Sequence, residues 1–304
     1  MIRRTITTTG IAGLGVLALG LAGCTSTAPS GGGDGEGSMS TLETLQEEGT
    51  ITLAINGEQP YSYLDENDEP TGATIEMHKK IFSELGIENI EVEQVEWDSL
   101  IPGLNAGRWD AVSAGMSITP DRCAEAAFSD PEIMYTTTLA VKAGNPMGLS
   151  DLDSALASDG DVRLALQTGA IEDGYVEQLG GYDNIVPVDS AQNGLEAVKT
   201  DRADAFALTA VSLEWMTQDD DDLETTGAFV QEIDGIKQYG AGATVFRQAD
   251  TELLEAYNEA AANITGDEQS YLDVVEPFGF SAENLPPQDM TTEQLCSGDL
   301  EELQ

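Results

Sequence analysis

Positive charge is what this sequence has least of. Twelve lysines and arginines stand against 56 aspartates and glutamates, giving a formal net charge of −44 over 304 residues. Such a surface cannot neutralise phosphates, which excludes nucleic acid as a partner. There is a single histidine, His78. It stands beside Lys79 and Lys80 and is expected on the solvent side of a helix. Without a second candidate, no Ser/His/Asp or Cys/His nucleophile system can be assembled. No residue spacing suits a metal and no glycine-rich phosphate loop is present. Catalysis therefore lacks its parts, and neither an enzyme, a metal site nor a cofactor is expected. Cysteine is also sparse, with three in all: Cys24, Cys123 and Cys296.

The acidity itself has two readings. One is a solvated surface adapted to a salty exterior: at about 1 M salt the screening length falls to roughly 3 Å, and self-repulsion shrinks with it. The other is an acidic secreted protein of no particular salt habit.

The amino terminus looks like an export signal. "MIRR" is followed by "ITTTGIAGLGVLALGLAG", small and apolar but too short to span a bilayer as a stable helix. It ends in "LAGC", which resembles a lipobox, so residues 1–23 read as a lipoprotein signal peptide with Cys24 carrying the lipid. Arg3 and Arg4 leave the twin-arginine route open beside the general one. Cleavage removes those two cations and no acid. The mature protein is expected at the extracellular face of the cell membrane, lipid-anchored. Once Cys24 is acylated two cysteines remain. An oxidising exterior would pair Cys123 with Cys296, the alternative being two buried free thiols.

Residues 24–40 are rich in glycine and serine with no apolar period, and read as a flexible tether. From residue 41 strand and helix patterns alternate. "TITLAIN" (50–56), "IEVEQVEW" (90–97), "DAVSAGMSI" (110–118), "DVRLALQTG" (161–169), "NIVPVD" and "DAFALTA" read as strands. "IEMHKKIFSELG" (75–86), "SLIPGLNAGRW", "AIEDGYVEQL" and "AQNGLEAVKTDRA" read as helices. Such β-α-β alternation predicts an α/β fold with ligands at the carboxyl ends of strands. Two stretches, "TTTLAVKAGN" (136–145) and "GIKQYGAGATVFR" (235–247), read as strands crossing between lobes. The expected division is lobe 1 over 41–140, lobe 2 over 141–238, and a return to lobe 1 with a C-terminal tail over 239–304. "DDDD" (219–222) reads as a solvated loop.

Binding chemistry is where the sequence is specific. "WDSLIPGLNAGRWDAVSAGMSITPDRCAEAAFS" resembles the amino-acid family (family 3) of extracellular solute-binding proteins of ABC transporters. "NGEQPYSYLDENDEPTGATIE", "RADAFALTAVSLEW" and "EPFGFSAENLPPQDMTTEQLCSG" are similar to the ectoine and hydroxyectoine binders within it. The resemblance covers about residues 42–298. It implies a two-lobe type II periplasmic-binding-protein fold, with two hinge strands and a central cleft that closes on a small zwitterion. The partners it implies are an ectoine-type ligand and membrane permease subunits, with the binding protein a monomer.

The resemblance also implies roles. Arg122 falls on the arginine that clamps the ligand carboxylate, a match of planar fork to planar acid. Gly115, Met116 and Ser117 lie beside it at a strand end. Tyr61 and Trp97 align with aromatic walls for a delocalised cation, each worth about 0.5–2 kcal/mol. Glu58 aligns with the acid facing the ring N–H groups. Gln167, Thr168 and Gly169 lie where the second lobe meets the carboxylate, partly through backbone N–H groups. Thr209 stands where ordinary α-amino-acid binders carry an aspartate for the ammonium, with Asp204 five residues upstream. Ser117 stands where the ectoine binders carry a third aromatic. Three alternatives stay open: a polar amino-acid binder of the same family, an enzyme of the cyclohexadienyl-dehydratase kind on this fold, and a sensor ectodomain.

Overall fold

The computed structural model describes residues 39–157, 161–181, 183–298 and 300. The expected signal peptide, the lipidation position Cys24 and nearly all of the tether lie outside these residues.

Two sheets carry the architecture. In the first, Thr50–Ile55 pairs in parallel with Asn89–Gln94 on one side and Ala111–Ser117 on the other. Gly240–Phe246 then joins Ala111–Ser117 antiparallel and carries Ala127–Phe128 and Ile133–Tyr135 on its far side. The second sheet runs in the order Ile185–Val188, Leu164–Gln167, Ala205–Thr209, Thr137–Lys142, Leu223–Thr225. Its first three strands are mutually parallel, and Thr137–Lys142 is antiparallel to its neighbours on both sides. Parallel pairing fits the β-α-β pattern of the sequence. The antiparallel strands are those that follow a change of sheet instead of a helical crossover.

Both faces of each sheet are covered, which is why the strands read as near-continuous apolar runs. In the first sheet Ile51, Leu53 and Ile55 enter one core, while Ala54, Val112, Ala114 and Met116 enter the core on the other face. In the second sheet Leu139, Val141, Leu164 and Leu166 alternate in the same way with Ala140, Ala165, Phe206 and Leu208.

The chain leaves the first sheet at Tyr135 and enters the second at Thr137; it re-enters the first at Gly240. The strand Thr137–Lys142, of which the sequence reading gave four residues to lobe 1, pairs wholly in the second sheet. The stretch 235–247, read as one strand, is two. Ile236–Lys237 closes a small hairpin with Glu232–Ile233, and Gly240–Phe246 starts anew.

His78 departs from its expected place. On the helix Ala73–Glu84, Thr74, Ile75, Met77, His78, Ile81 and Phe82 form the buried face. The helical period puts His78 on that stripe and turns Lys79 and Lys80 outward. The imidazole is fully buried, with Nε2 2.7 Å from the Thr244 hydroxyl. Burial pushes its pKa down to about 3, so it is neutral. The same Thr244 hydroxyl contacts Tyr257 and donates to Glu132, a buried carboxylate that also accepts from Ser129 and Tyr257. This polar knot ties the helix Thr251–Thr265 to the first sheet.

Cys123 and Cys296 form a disulfide, with Cα atoms 5.7 Å apart. It joins the short helix Pro120–Glu125 to the tail helix Thr292–Ser297, whose N-cap is a reciprocal Thr291–Gln294 capping box. Among the described residues no helix is long and apolar enough to cross a membrane.

Candidate ligand-binding cleft

The expected site residues gather at the carboxyl ends of four strands. Glu58 and Tyr61 follow Thr50–Ile55; Ser117 ends its strand; Gln167 ends the third; Thr209 ends the fourth. Two of these strands belong to the first sheet and two to the second. Between them lies a cavity of about 20 Å³ lined by Glu58, Tyr61, Trp97, Gly115, Ser117, Gln167 and Thr209. That volume holds about one water. That is too little for a ligand of amino-acid size in the arrangement described.

Glu58 brings a carboxylate to the cavity from the first-sheet side. It is 6% exposed, and its Oε1 accepts from Ser212 at 2.6 Å and from Thr209 at 3.5 Å, both on the second-sheet side. Burial raises its pKa, while the hydrogen bonds from Ser212, Asn56 and Thr209 work against that rise. Tyr61 is 2% exposed and packs edge-on against Phe280, with ring centroids 5.1 Å apart. Its ring occupies the space that a side chain at position 115 would fill: a Cβ on Gly115 would come within 2.5 Å of it, and Gly115 has a φ of +53°. Glycine is required there on both counts.

Arg122 sits beside the cavity, not in its lining. Its helix is capped by Thr119, and its guanidinium reaches back across the strand end. Nη1 donates to the carbonyl of Ser117 at 2.9 Å and Nη2 to that of Gly169 at 2.7 Å. The guanidinium lies over Trp97, 5.3 Å from the ring centroid. The indole Nε1 of Trp97 donates to the same Gly169 carbonyl at 3.1 Å. Gly169, with a φ of +75°, thus receives two donors from the first-sheet side. Burial lowers the pKa of Arg122, with Tyr135, Glu172 and Tyr175 opposing that change.

Other expected residues fall elsewhere. Met116 is 2% exposed in the core beneath the site, because strand alternation turns it away from the face that Gly115 and Ser117 present. Thr168 is exposed, and the amides expected to face a carboxylate are used locally. Thr168 N–H goes to Val188, Ala170 N–H to Gln167, and Gly169 N–H to Asp173. Asp204 lies at the opposite end of its strand, where Arg163 binds it through Nε at 2.9 Å and Nη2 at 2.6 Å.

Beside the apolar Ala114, Ala170, Ile171 and Leu208, two further residues with polar groups line the cavity that the sequence did not single out. Tyr135, 7% exposed, brings a third aromatic ring, and its hydroxyl donates to Ser117 Oγ. The ring arrives from the strand Ile133–Tyr135, packed against Gly240, where a Cβ would lie 2.3 Å from it. Glu172, in the first turn of the helix Ile171–Gln178, is 1% exposed. Its Oε1 accepts from Thr137 at 3.2 Å, and its Oε2 has no partner in another residue. Burial pushes its pKa up to about 7; Glu58 adds to the rise, while its own backbone N–H, Thr137 and Arg122 oppose it. In the sequence it stands three positions after Gly169 within "AIEDGYVEQL", a stretch that reads only as a helix. Among the described residues no cluster of His, Cys, Asp and Glu is arranged to hold a metal ion.

Comparison with known proteins places this geometry. The sequence profile of the bacterial extracellular solute-binding proteins, family 3, matches residues 51–272. A probable amino-acid ABC transporter periplasmic-binding protein, y4tE of Sinorhizobium fredii, is 32% identical over 262 residues, 84% of this chain and 86% of its own. The arginine-binding extracellular protein ArtP of Bacillus subtilis is 29% identical over 207 residues, 66% of this chain and 75% of its own. The crystal structure of EhuB in complex with hydroxyectoine superposes with a TM-score of 0.74 at 28% identity, covering 84% of this chain and 97% of that one. The two-sheet architecture is the type II periplasmic-binding-protein fold, and the chain belongs to the bacterial extracellular solute-binding proteins, family 3.

Proposed function

We propose that the protein captures a compact zwitterion with a delocalised positive charge, ectoine or hydroxyectoine, for delivery to an ABC permease. The observation that carries this reading is Glu58: a buried carboxylate in a cavity lined by the rings of Tyr61, Trp97 and Tyr135. Aromatic faces beside a buried carboxylate suit a flat cation. Thr209 supplies a hydroxyl to Glu58 at the position where the family resemblance puts an aspartate in binders of ordinary α-amino acids, so a primary ammonium finds no acid at that position. The hydroxyectoine complex of EhuB supports the same reading.

Arg122 takes the ligand carboxylate, exchanging its bonds to the Ser117 and Gly169 carbonyls for a bidentate pair. Closure of the second sheet's loops over the ligand expels water, and the closed form is what the permease recognises. About ten heavy atoms at roughly −0.8 kcal/mol each give an affinity near micromolar. In this reading the protein works as a monomer held at the extracellular face of the cell membrane by lipid on Cys24.

A second reading is an amino-acid binder. The relatives named for amino acids and arginine favour it. Titration calorimetry with ectoine and hydroxyectoine against arginine, glutamine and histidine separates the two. Tight binding of glutamine or histidine with none of ectoine sinks the first. Product formation from prephenate or arogenate would instead mark an enzyme of the dehydratase kind.

A further inference from the structure

The cavity holds two buried carboxylates, and the family resemblance accounts for one. Glu58 comes from the loop after the strand Thr50–Ile55; Glu172 comes from the helix Ile171–Gln178 that follows the second sheet's Leu164–Gln167. Each half of the molecule thus contributes an acid to one small space, with Arg122 beside it. Both acids are more than nine-tenths buried. Glu58 is served by Ser212 and Thr209, whereas Glu172 leaves Oε2 without a partner in another residue, and the neighbouring Gln167 Oε1 is unpartnered too. Buried acceptors without donors are costly, and two of them lining one cavity call for a ligand that brings N–H groups.

We propose that Glu172 is a ligand-contacting and specificity-determining residue, which with Glu58 holds the two edges of a planar N–C–N cation, an amidinium or a guanidinium. The inference rests on the solute-binding reading above and names the residues that would select the ligand's cationic group. A planar cation fits here for two reasons. Its faces match the rings of Tyr61, Trp97 and Tyr135, which line the same space. Its N–H donors lie on separate edges, so two acids from opposite halves can each take one. A primary ammonium is a compact, strongly hydrated point charge, with no flat face to lie against the rings and no two separated edges. The device also explains closure: a cation gripped by one acid from each half draws the halves together.

Proton linkage follows from the same geometry. The titratable and charged groups around Glu172 are Glu58, Arg122, Tyr135 and Tyr175, with Thr137 as its hydrogen-bond donor. A neutral Glu172 must lose its proton to pair with a cation, so binding near neutral pH releases a proton and affinity rises with pH.

The test is calorimetry of the mature protein and its Glu172→Gln variant at pH 5.5 and 8.5, with ectoine, L-arginine, L-lysine and L-glutamine. Wild-type protein at pH 6.5 is also titrated in two buffers of different ionisation heat. Expected are binding of ectoine or arginine, a tenfold or greater loss in Glu172→Gln at pH 8.5, a shallower pH profile in the variant than in the wild type, and buffer-dependent heat in the wild type. Arginine binding with this behaviour and no ectoine binding sinks the ectoine reading and upholds Glu172. Ectoine binding unaltered by Glu172→Gln, with no buffer dependence, does the reverse. Preference for lysine or glutamine overturns the proposal, as does failure of both planar cations to bind. The buffer experiment stands even where the variant does not fold.

Discussion

Arg122 and Trp97 converge on a single acceptor, the carbonyl oxygen of Gly169, at 2.7 and 3.1 Å. The guanidinium and the indole belong to the first-sheet side of the cleft and the glycine to the second. One backbone oxygen is therefore a meeting point of the two halves, and its donors are the residues assigned to the ligand's two ends.

Removing the guanidinium should cost the most. Arg122→Ala is expected to lower affinity by about 2–5 kcal/mol, since a carboxylate is left without its partner. Arg122→Lys should recover only part of this, because an ammonium cannot offer two parallel donors. Calorimetry reads both, and wild-type affinity in the alanine variant would take Arg122 out of the site.

Trp97 can be separated into its two contributions. Trp97→Phe keeps an aromatic face and loses the donor to Gly169; Trp97→Ala loses both. A loss of more than tenfold is expected for alanine and a smaller one for phenylalanine. Tryptophan fluorescence should change on ligand addition, and the part of that change lost in Trp97→Phe belongs to Trp97, with Trp109 and Trp215 as the background.

Glu172 gives a stability prediction whose sign is fixed. Its pKa is raised from 4.5 to about 7 in the fold, so between those values the folded state holds a proton that the unfolded chain has released. Its favourable contribution is complete below about pH 4.5 and is lost as pH rises through 7. Glu172→Gln carries no such dependence. The variant should therefore gain on the wild type across that window, by up to about 3 kcal/mol above pH 7. Thermal melts without ligand at pH 4, 6 and 8 check this, and parallel curves would show that Glu172 does not titrate there.

Cys296→Ser should destabilise the chain by about 2–4 kcal/mol, the usual range for a long-loop disulfide. The effect should be reproduced in wild type by reductant and be absent in the variant so treated. Denaturant midpoints with and without dithiothreitol are the measurement.

The net charge of −44 predicts that melting temperature climbs as salt rises from about 0.01 to 1 M, while the screening length falls from roughly 30 to 3 Å. A flat response would leave the acidity unconnected to a saline habitat.

What the sequence made legible follows its periodicities. The strands Thr50–Ile55, Ala111–Ser117 and Ala205–Thr209 were readable as apolar runs, and the site residues at their ends came with them. Residues that reach the cavity from elsewhere were not. Tyr135 fills the space beside Ser117 from a strand whose pairing with Gly240–Phe246 no local pattern announces. Glu172 resembles any acid in a first helical turn until the helix is docked with that turn facing inward. His78 shows the same limit, since two flanking lysines suggested water while the helical stripe carried the ring into the core. Met116 fell the other way, because a resemblance that assigns a segment does not assign alternate side chains within it.

The bridge between Cys123 and Cys296 spans 173 positions, and every strand of the second sheet lies inside that span. A protease cutting the second half once would sever the backbone yet free no fragment, because the pieces stay covalently tied through sulfur. Nicked molecules would keep their mass apart from one added water and would separate on a gel only after reduction.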